Sequence, residues 1–288
     1  MRGVGLVGAL VLAAGAGAAQ PAPKSAFQTS SWTSPFPPFK IADRLYYVGS
    51  ADPTAYLIDT GEGLILLDVG FTPFEPVVIE NIKKLGFDPK SIRIVLNSHA
   101  HLDHAGGLAA LKAETGAKLY AMTGDTEILE AGGKGDPDVG DKAGFPPVKV
   151  DRVLKDGDLV GLGKVTLTAH LTPGHTPGCT TWTMPVQVDG TAHTATFICS
   201  LTVLPGTPMG PARQAEWRRT YDALAKLPCD LFLASHQSFY DGARKREAMK
   251  TATTNPFLDT AGCRAFIADR RALFDKAADA ANARRGKG

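Results

Sequence analysis

Ser98-His99-Ala100-His101-Leu102-Asp103-His104-Ala105-Gly106-Gly107 is the stretch on which the rest of the chain turns. Three imidazoles and a carboxylate fall between positions 99 and 104. In an extended loop the His-x-His spacing projects His99 and His101 from the same side, so they can share one cation. Asp103 and His104 come on the next turn and face a second point. Nitrogen and oxygen donors without thiolate suit Zn²⁺ and leave coordination positions for water, as a catalytic site requires. Ile92-Arg93-Ile94-Val95-Leu96, just upstream, has the pattern of a buried strand, and Leu108–Thr115 that of a helix. The donor-rich loop therefore follows the carboxyl end of a strand, a usual place for chemistry on a sheet scaffold.

Outward from that loop the chain alternates between β-type and helical runs. Strands are expected at Leu45–Val48, Thr54–Asp59, Leu64–Asp68, near Leu119, and at Arg152–Leu154, Val165–His170, Thr180–Met184, Ala195–Cys199 and Leu231–Ala234. A helix should start at Thr72-Pro73-Phe74-Glu75, with Thr72 as cap and Glu75 closing a capping box, and stop at Gly86. Gln214–Lys226 and Arg264–Ala281 are further helices. Interleaved strands and helices predict an α/β fold with sheets covered by helices. Gly132–Pro147 is long and Gly-rich, with Phe145 near its end, and is expected to border a substrate cleft. The run Arg244-Lys245-Arg246 reads as a solvated face.

The chain has 288 residues with 31 basic and 29 acidic side chains, so its net charge of +2 gives no reason to expect nucleic acid or an anionic membrane surface as partner. Met1–Ala19 has a basic start, an apolar middle and small residues before Gln20, the pattern of a secretory signal peptide. Its removal leaves no stretch long and apolar enough to span a membrane, and periplasmic export is the expected localisation. Residues 20–38 read as a Pro- and Ser-rich extended arm, and residues 39–283 as one domain. A monomer is the default.

The donor loop resembles the signature of the metallo-β-lactamase superfamily. Leu171-Thr172-Pro173-Gly174-His175-Thr176-Pro177-Gly178 is similar to its second element and Ala234-Ser235-His236 to its last. The likeness is greatest to the class B, subclass 3 β-lactamases and runs from about Trp32 to Ala281. It includes Leu45-Tyr46-Tyr47-Val48-Gly49, Pro146-Pro147 before Val150-Asp151-Arg152, and Asn255-Pro256-Phe257 before Gly262-Cys263. The resemblance implies an αββα sandwich, two mixed β-sheets flanked by helices. It implies two Zn²⁺ per chain, the first on His99, His101 and His175, the second on Asp103, His104 and His236. His170 and His193 are left as ordinary sheet residues. Asp68 would support the metal loop from behind, as carboxylates hydrogen-bonded to ligands commonly do. Cys229 and Cys263 would form a disulfide; Cys179 and Cys199 could form a second or remain thiols.

The implied reaction is hydrolysis of the β-lactam amide bond by hydroxide generated at the metals, with Asp103 holding the nucleophile and passing a proton. Glyoxalase II and the lactonases of the superfamily carry a bridging aspartate after the second histidine element. Ile198-Cys199-Ser200-Leu201-Thr202 has no carboxylate, and the resemblance makes Ser200 and Thr202 candidates for holding a substrate carboxylate. Two other readings stay open: an exported hydrolase of the same fold acting on a lactone or thioester, and a non-catalytic zinc-binding protein.

Overall fold

The computed structural model describes Met1 and residues 30–286. Apart from Met1, the leader expected over residues 1–19 lies outside the described residues, as does the first part of the arm. Seven strands form one sheet in chain order: β1 (Phe39–Ala42), β2 (Leu45–Tyr47), β3 (Tyr56–Asp59), β4 (Leu64–Leu67), β5 (Ile92–Leu96), β6 (Lys118–Met122) and β7 (Arg152–Leu154). β1 to β4 run as an antiparallel meander, and β4 to β7 are parallel. The second sheet has the order β12-β11-β10-β9-β8, built from β8 (Leu159–Leu162), β9 (Val165–Leu171), β10 (Thr180–Val188), β11 (Thr191–Ile198) and β12 (Leu231–Ala234). Only its β11–β12 pair is parallel. The helices are α1 (Ser30–Thr33), α2 (Glu75–Lys84), α3 (Leu102–Ala105), α4 (Leu108–Thr115), α5 (Thr126–Glu130), α6 (Pro211–Leu224), α7 (Gln237–Tyr240), α8 (Gly242–Ala248) and α9 (Thr260–Arg285).

The apolar runs of β4 and β5 follow from burial on both faces, as parallel strands inside a layered protein require. Ile65, Leu67, Ile94 and Leu96 meet Trp182, Met184 and Phe197 of the other sheet. Leu64, Leu66 and Val95, on the opposite face, pack with Val78 and Ile82 of α2 and Leu108 and Leu111 of α4. Trp217 and Tyr221 of α6 cluster with Phe274 of α9. Two mixed sheets flanked by helices form the αββα sandwich expected from the resemblance.

Several local expectations give way to packing. Thr72 does not cap α2; its hydroxyl donates to Gly106 O at 2.8 Å, and a 3₁₀ turn over Thr72–Phe74 leads into the helix. α6 starts earlier than Gln214, at Pro211, whose fixed φ suits a first helical turn. β1 and β8, both sheet edges, are too short to show a period in the sequence. The arm is not simply extended: α1 is a helical turn, and Trp32 packs against Phe71 at 5.7 Å. The basic run is not a solvated face throughout. Lys245 is buried against Asp259 (2.7 Å) and lies over Phe232 and Tyr240, while Arg246 lies over Phe36 and Phe39.

Both cysteine pairs are joined. Cys229–Cys263 ties the approach to β12 to α9 across a separation of 34 residues, and Cys179–Cys199 joins the loop before β10 to the end of β11. Replacing Cys229 and Cys263 together by alanine is expected to lower stability by about 3–4 kcal/mol, the loop-closure entropy returned to the unfolded chain. Denaturant unfolding of the double variant measures it, and a loss below about 1 kcal/mol would mean that the unfolded chain is already constrained there.

Candidate metal centre

The functional side chains leave the carboxyl ends of five strands. β4 runs into Asp68, β5 into the 97–107 loop, β9 into the loop with His175, β11 into Ser200, and β12 into His236. β4 and β5 are parallel neighbours, as are β11 and β12, so these exits gather at one end of the sandwich. His101 has extended backbone and enters α3, one helical turn that carries Asp103 and His104. Asp68 sits at φ 60°, a left-handed conformation that aspartate tolerates better than most residues.

The six predicted donors converge. His99, His101 and His175 bring ligand atoms within 4.8 Å of one another, and so do His99, Asp103 and His104. His101 Nδ1 lies 3.1 Å from His175 Nε2, and His104 Nε2 lies 3.3 Å from His236 Nε2. Asp103 Oδ2 stands between the last two, 3.2 Å from His104 and 3.4 Å from His236. The other nitrogen of every imidazole meets an oxygen. His99 Nδ1 faces Ser98 Oγ (3.0 Å), His101 Nε2 faces Asp136 Oδ2 (3.2 Å), and His104 Nδ1 faces Asp68 Oδ2 (3.1 Å). His175 Nδ1 faces Thr202 O (2.8 Å), and His236 Nδ1 faces Asp52 Oδ2 (3.1 Å). Such rear partners fix the proton on one ring nitrogen and leave a lone pair on the other, the state in which imidazole binds a metal. Five oriented imidazoles and one carboxylate thus fit a metal in chemistry as well as in placement.

Burial and mutual repulsion hold His99 and His175 well below the ordinary histidine range. Burial also opposes a proton on His104, yet Asp103 and Asp68 outweigh it and push its pKa up to about 10. Burial raises Asp103, but His104 and His236 hold its carboxyl well below the usual range. Without metal, the proton on His104 supplies the positive charge between two carboxylates. A group raised in this way stabilises the metal-free fold fully below its unfolded pKa of about 6.5 and ceases to do so as pH passes about 10. Metal must displace that proton, so zinc binding at pH 7 is expected to release it, and affinity should climb with pH from 6 to 9. Titration with zinc in a weakly buffered indicator solution reads the proton directly.

The cluster floors an open cleft. His101, Asp103, His175 and His236 reach it, while His99 and His104 lie deeper. Ser200 and Thr202 line it too. Phe145, expected there, does not: it is buried in the core beside Ile128 and Leu129 of α5. Gly132 and Gly133, at φ 69° and 90°, fold the loop back so that Phe145 N donates to Gly132 O (3.0 Å) and the ring turns inward. Val139 and Ala143 of the same loop border the cleft instead. Trp32, Leu204 and Phe239 complete its apolar walls, and Trp32 lies 5.6 Å from the His236 ring. These contacts, and the carboxylates of Asp52 and Asp136, are absent from the sequence reading, because nothing in their local pattern marks them. His170 and His193 lie in β9 and β11; His170 meets Thr183 at 2.8 Å.

The sequence profile described as "Metallo-beta-lactamase superfamily" matches residues 50–236. The chain belongs to the metallo-β-lactamase superfamily. Among solved structures it is similar to the native FEZ-1 metallo-beta-lactamase from Legionella gormanii, 38% identical over 87% of this chain and 98% of that one, with a TM-score of 0.85. It is also similar to BJP-1, a subclass B3 metallo-beta-lactamase of Bradyrhizobium japonicum, 40% identical over 88% and 98% of the two chains, with a TM-score of 0.83. Curated relatives match over less. A hydroxyacylglutathione hydrolase of Maricaulis maris is 30% identical over 54% of this chain and 51% of its own length. The N-acyl homoserine lactonase AttM of Agrobacterium fabrum is 37% identical over 35% and 38%. The chain thus spans about half or less of the length of these curated relatives. A metallo-β-lactamase fold with a His/Asp metal site supports a hydrolase acting on small molecules.

Proposed function

We propose that the protein hydrolyses the amide bond of β-lactams with two zinc ions, one on His99, His101 and His175 and one on Asp103, His104 and His236. The observation that carries this reading is the end of β11. No carboxylate stands there; Cys199 is tied back to Cys179, and the next residue, Ser200, lines the cleft. A superfamily hydrolase with a bridging aspartate would need a carboxylate on this segment. The likeness to β-lactamases over 87–88% of this chain and 98% of theirs supports the same choice.

Zinc held by these residues would supply a Lewis acid that lowers the pKa of water to about 7 and polarises a carbonyl oxygen. The protein supplies the rest. The rear oxygens keep the imidazoles oriented, so little reorganisation is needed as charge develops. Asp103, ionised and at the cleft floor, orients the attacking water and can carry its proton to the departing amide nitrogen. Ser200 and Thr202 would take the substrate carboxylate; among the described residues, the charged side chains on the cleft lining apart from histidines are Asp52 and Asp103. Trp32, Val139 and Phe239 cover the apolar body of the substrate and exclude water around it. On this reading the leader sends the protein to the periplasm, and the activity confers resistance to β-lactam antibiotics.

The second reading, a lactone or thioester hydrolase, draws on the names of the curated relatives. Purified protein is assayed on a penicillin, a cephalosporin, a carbapenem, an N-acyl homoserine lactone and an acyl-glutathione, with chelator and zinc add-back. Chelator-sensitive opening of at least one β-lactam is expected. Turnover of the lactone or thioester with no β-lactam opened would overturn the proposal in favour of the second reading.

A further inference from the structure

The loop that borders the cleft contains a carboxylate that the histidine pattern does not call for. Asp136 is buried, and its two oxygens have separate tasks. Oδ1 accepts from the backbone N–H groups of Asp138 (2.8 Å) and Val139 (2.7 Å), which shapes the turn that brings Val139 to the cleft wall. Oδ2 lies 3.2 Å from His101 Nε2, the nitrogen turned away from the other donors. Two residues on, Asp138 pairs with the largely buried Arg213 of α6 at 2.7 Å. Direct contacts therefore run from His101 through one short turn to α6.

We propose that Asp136 is a positioning residue that couples the metal site to the cleft wall, fixing His101 as a donor through Nδ1 while it sets the turn at Val139. The proposal rests on reading the six converging side chains as a metal site. A carboxylate can only accept a hydrogen bond, so Asp136 requires the proton of His101 on Nε2 and leaves the lone pair on Nδ1, 3.1 Å from His175 Nε2. His99, His104 and His175 take their rear oxygens from residues beside strand ends, and His236 takes its own from the turn at Asp52. Among the described residues, His101 is the imidazole whose rear oxygen comes from the 132–147 loop; Thr202 and Asp52, behind His175 and His236, border the cleft from other segments. Order in that loop and the tautomer of one ligand are then a single event: a metal that favours the donor state of His101 also favours the closed turn, by the reciprocity of coupled equilibria.

Asparagine separates the two tasks of Asp136. Its one oxygen can keep both backbone N–H groups, but its amide nitrogen would then face His101 Nε2 and can only donate. The imidazole proton would move to Nδ1 and block the donor. Zinc affinity by chelator competition, and hydrogen exchange of the Asp138 and Val139 amides with and without zinc, test this in the whole protein. In the wild type, zinc should slow exchange at both amides. Asp136→Asn should weaken zinc binding by about 10–100-fold and abolish the zinc-dependent protection, with metal-free exchange close to wild type. A purely structural role predicts a change in metal-free exchange and none in zinc affinity. Zinc affinity of Asp136→Asn within threefold of wild type would overturn the proposal. So would wild-type exchange at these amides that is indifferent to zinc, a measurement that stands even if the variant does not fold. Neither readout uses a β-lactam, so failure of the proposed activity leaves both intact.

Discussion

On the proposed β-lactamase activity, Asp103→Asn is expected to slow ring opening by about 10²–10⁴-fold, the range associated with losing a positioned acid–base group. The substitution conserves volume but removes the charge. In the wild type one carboxylate oxygen lies within 3.4 Å of both His104 Nε2 and His236 Nε2, and burial is outweighed by those two rings so that the group stays ionised. Asparagine offers a weaker acceptor there and no proton-carrying capacity. Its effect on metal loading is separated from its effect on chemistry by measuring zinc content alongside kcat/KM. Turnover within about tenfold of wild type at equal zinc content would remove Asp103 from the reaction and leave it a ligand only.

Asp125 is the second position where one atom should matter greatly. It follows β6 and is 1% exposed, and its carboxylate ties the two histidine loops together. Oδ2 accepts from Ala100 N and from Thr176 Oγ1, both at 2.8 Å, and Oδ1 accepts from Gly178 N at 2.6 Å. Ala100 lies between His99 and His101, and Thr176 follows His175, so all three imidazoles of the His99–His101–His175 group hang on this one side chain. Burial lifts its pKa to about 6 against the pull of those hydrogen bonds. The loops also touch here: a Cβ on Gly178 would come within 2.5 Å of Asp125 N, so only glycine fits. Asp125→Asn keeps the shape but loses an acceptor oxygen, and at least one buried N–H turns toward another donor. Each buried group left unsatisfied costs about 1–3 kcal/mol, so a stability loss of about 2–4 kcal/mol is expected. Zinc affinity should fall with it, because the loops lose their common register. Chemical denaturation in chelator, compared with denaturation in excess zinc, separates the two effects. A variant as stable as wild type in chelator would show that the loops are held by their backbones alone.

Asp68 shows where legibility ended. Its place before a glycine after a strand was visible, and the resemblance suggested support for the metal loop. Its four partners (Asn97 Nδ2, Ser98 N, Ser98 Oγ and His104 Nδ1) became visible only when β4 and β5 lay side by side. Trp32 shows the same limit more sharply. In a Pro- and Ser-rich segment it looked like part of an extended arm, yet it lies against Phe71 and His236. Phe145 failed in the opposite sense: loop length was a fair sign of a cleft border, but two left-handed glycines decided which of its side chains turned inward.

Local spacing by itself determined the first half of the site. His99, His101, Asp103 and His104 stand within one loop and one helical turn, so short-range geometry alone brings them together, and the apolar runs of β4 and β5 dictated burial on both faces. The tertiary structure alone decided which distant side chains meet them. His175, His236, Asp52 and the segment carrying Asp125 and Asp136 lie outside the donor loop in the chain and are brought to one end of the sandwich by strand order. The reason is physical: a spacing rule reaches only as far as one element keeps its period, while a contact across layers depends on how whole elements pack.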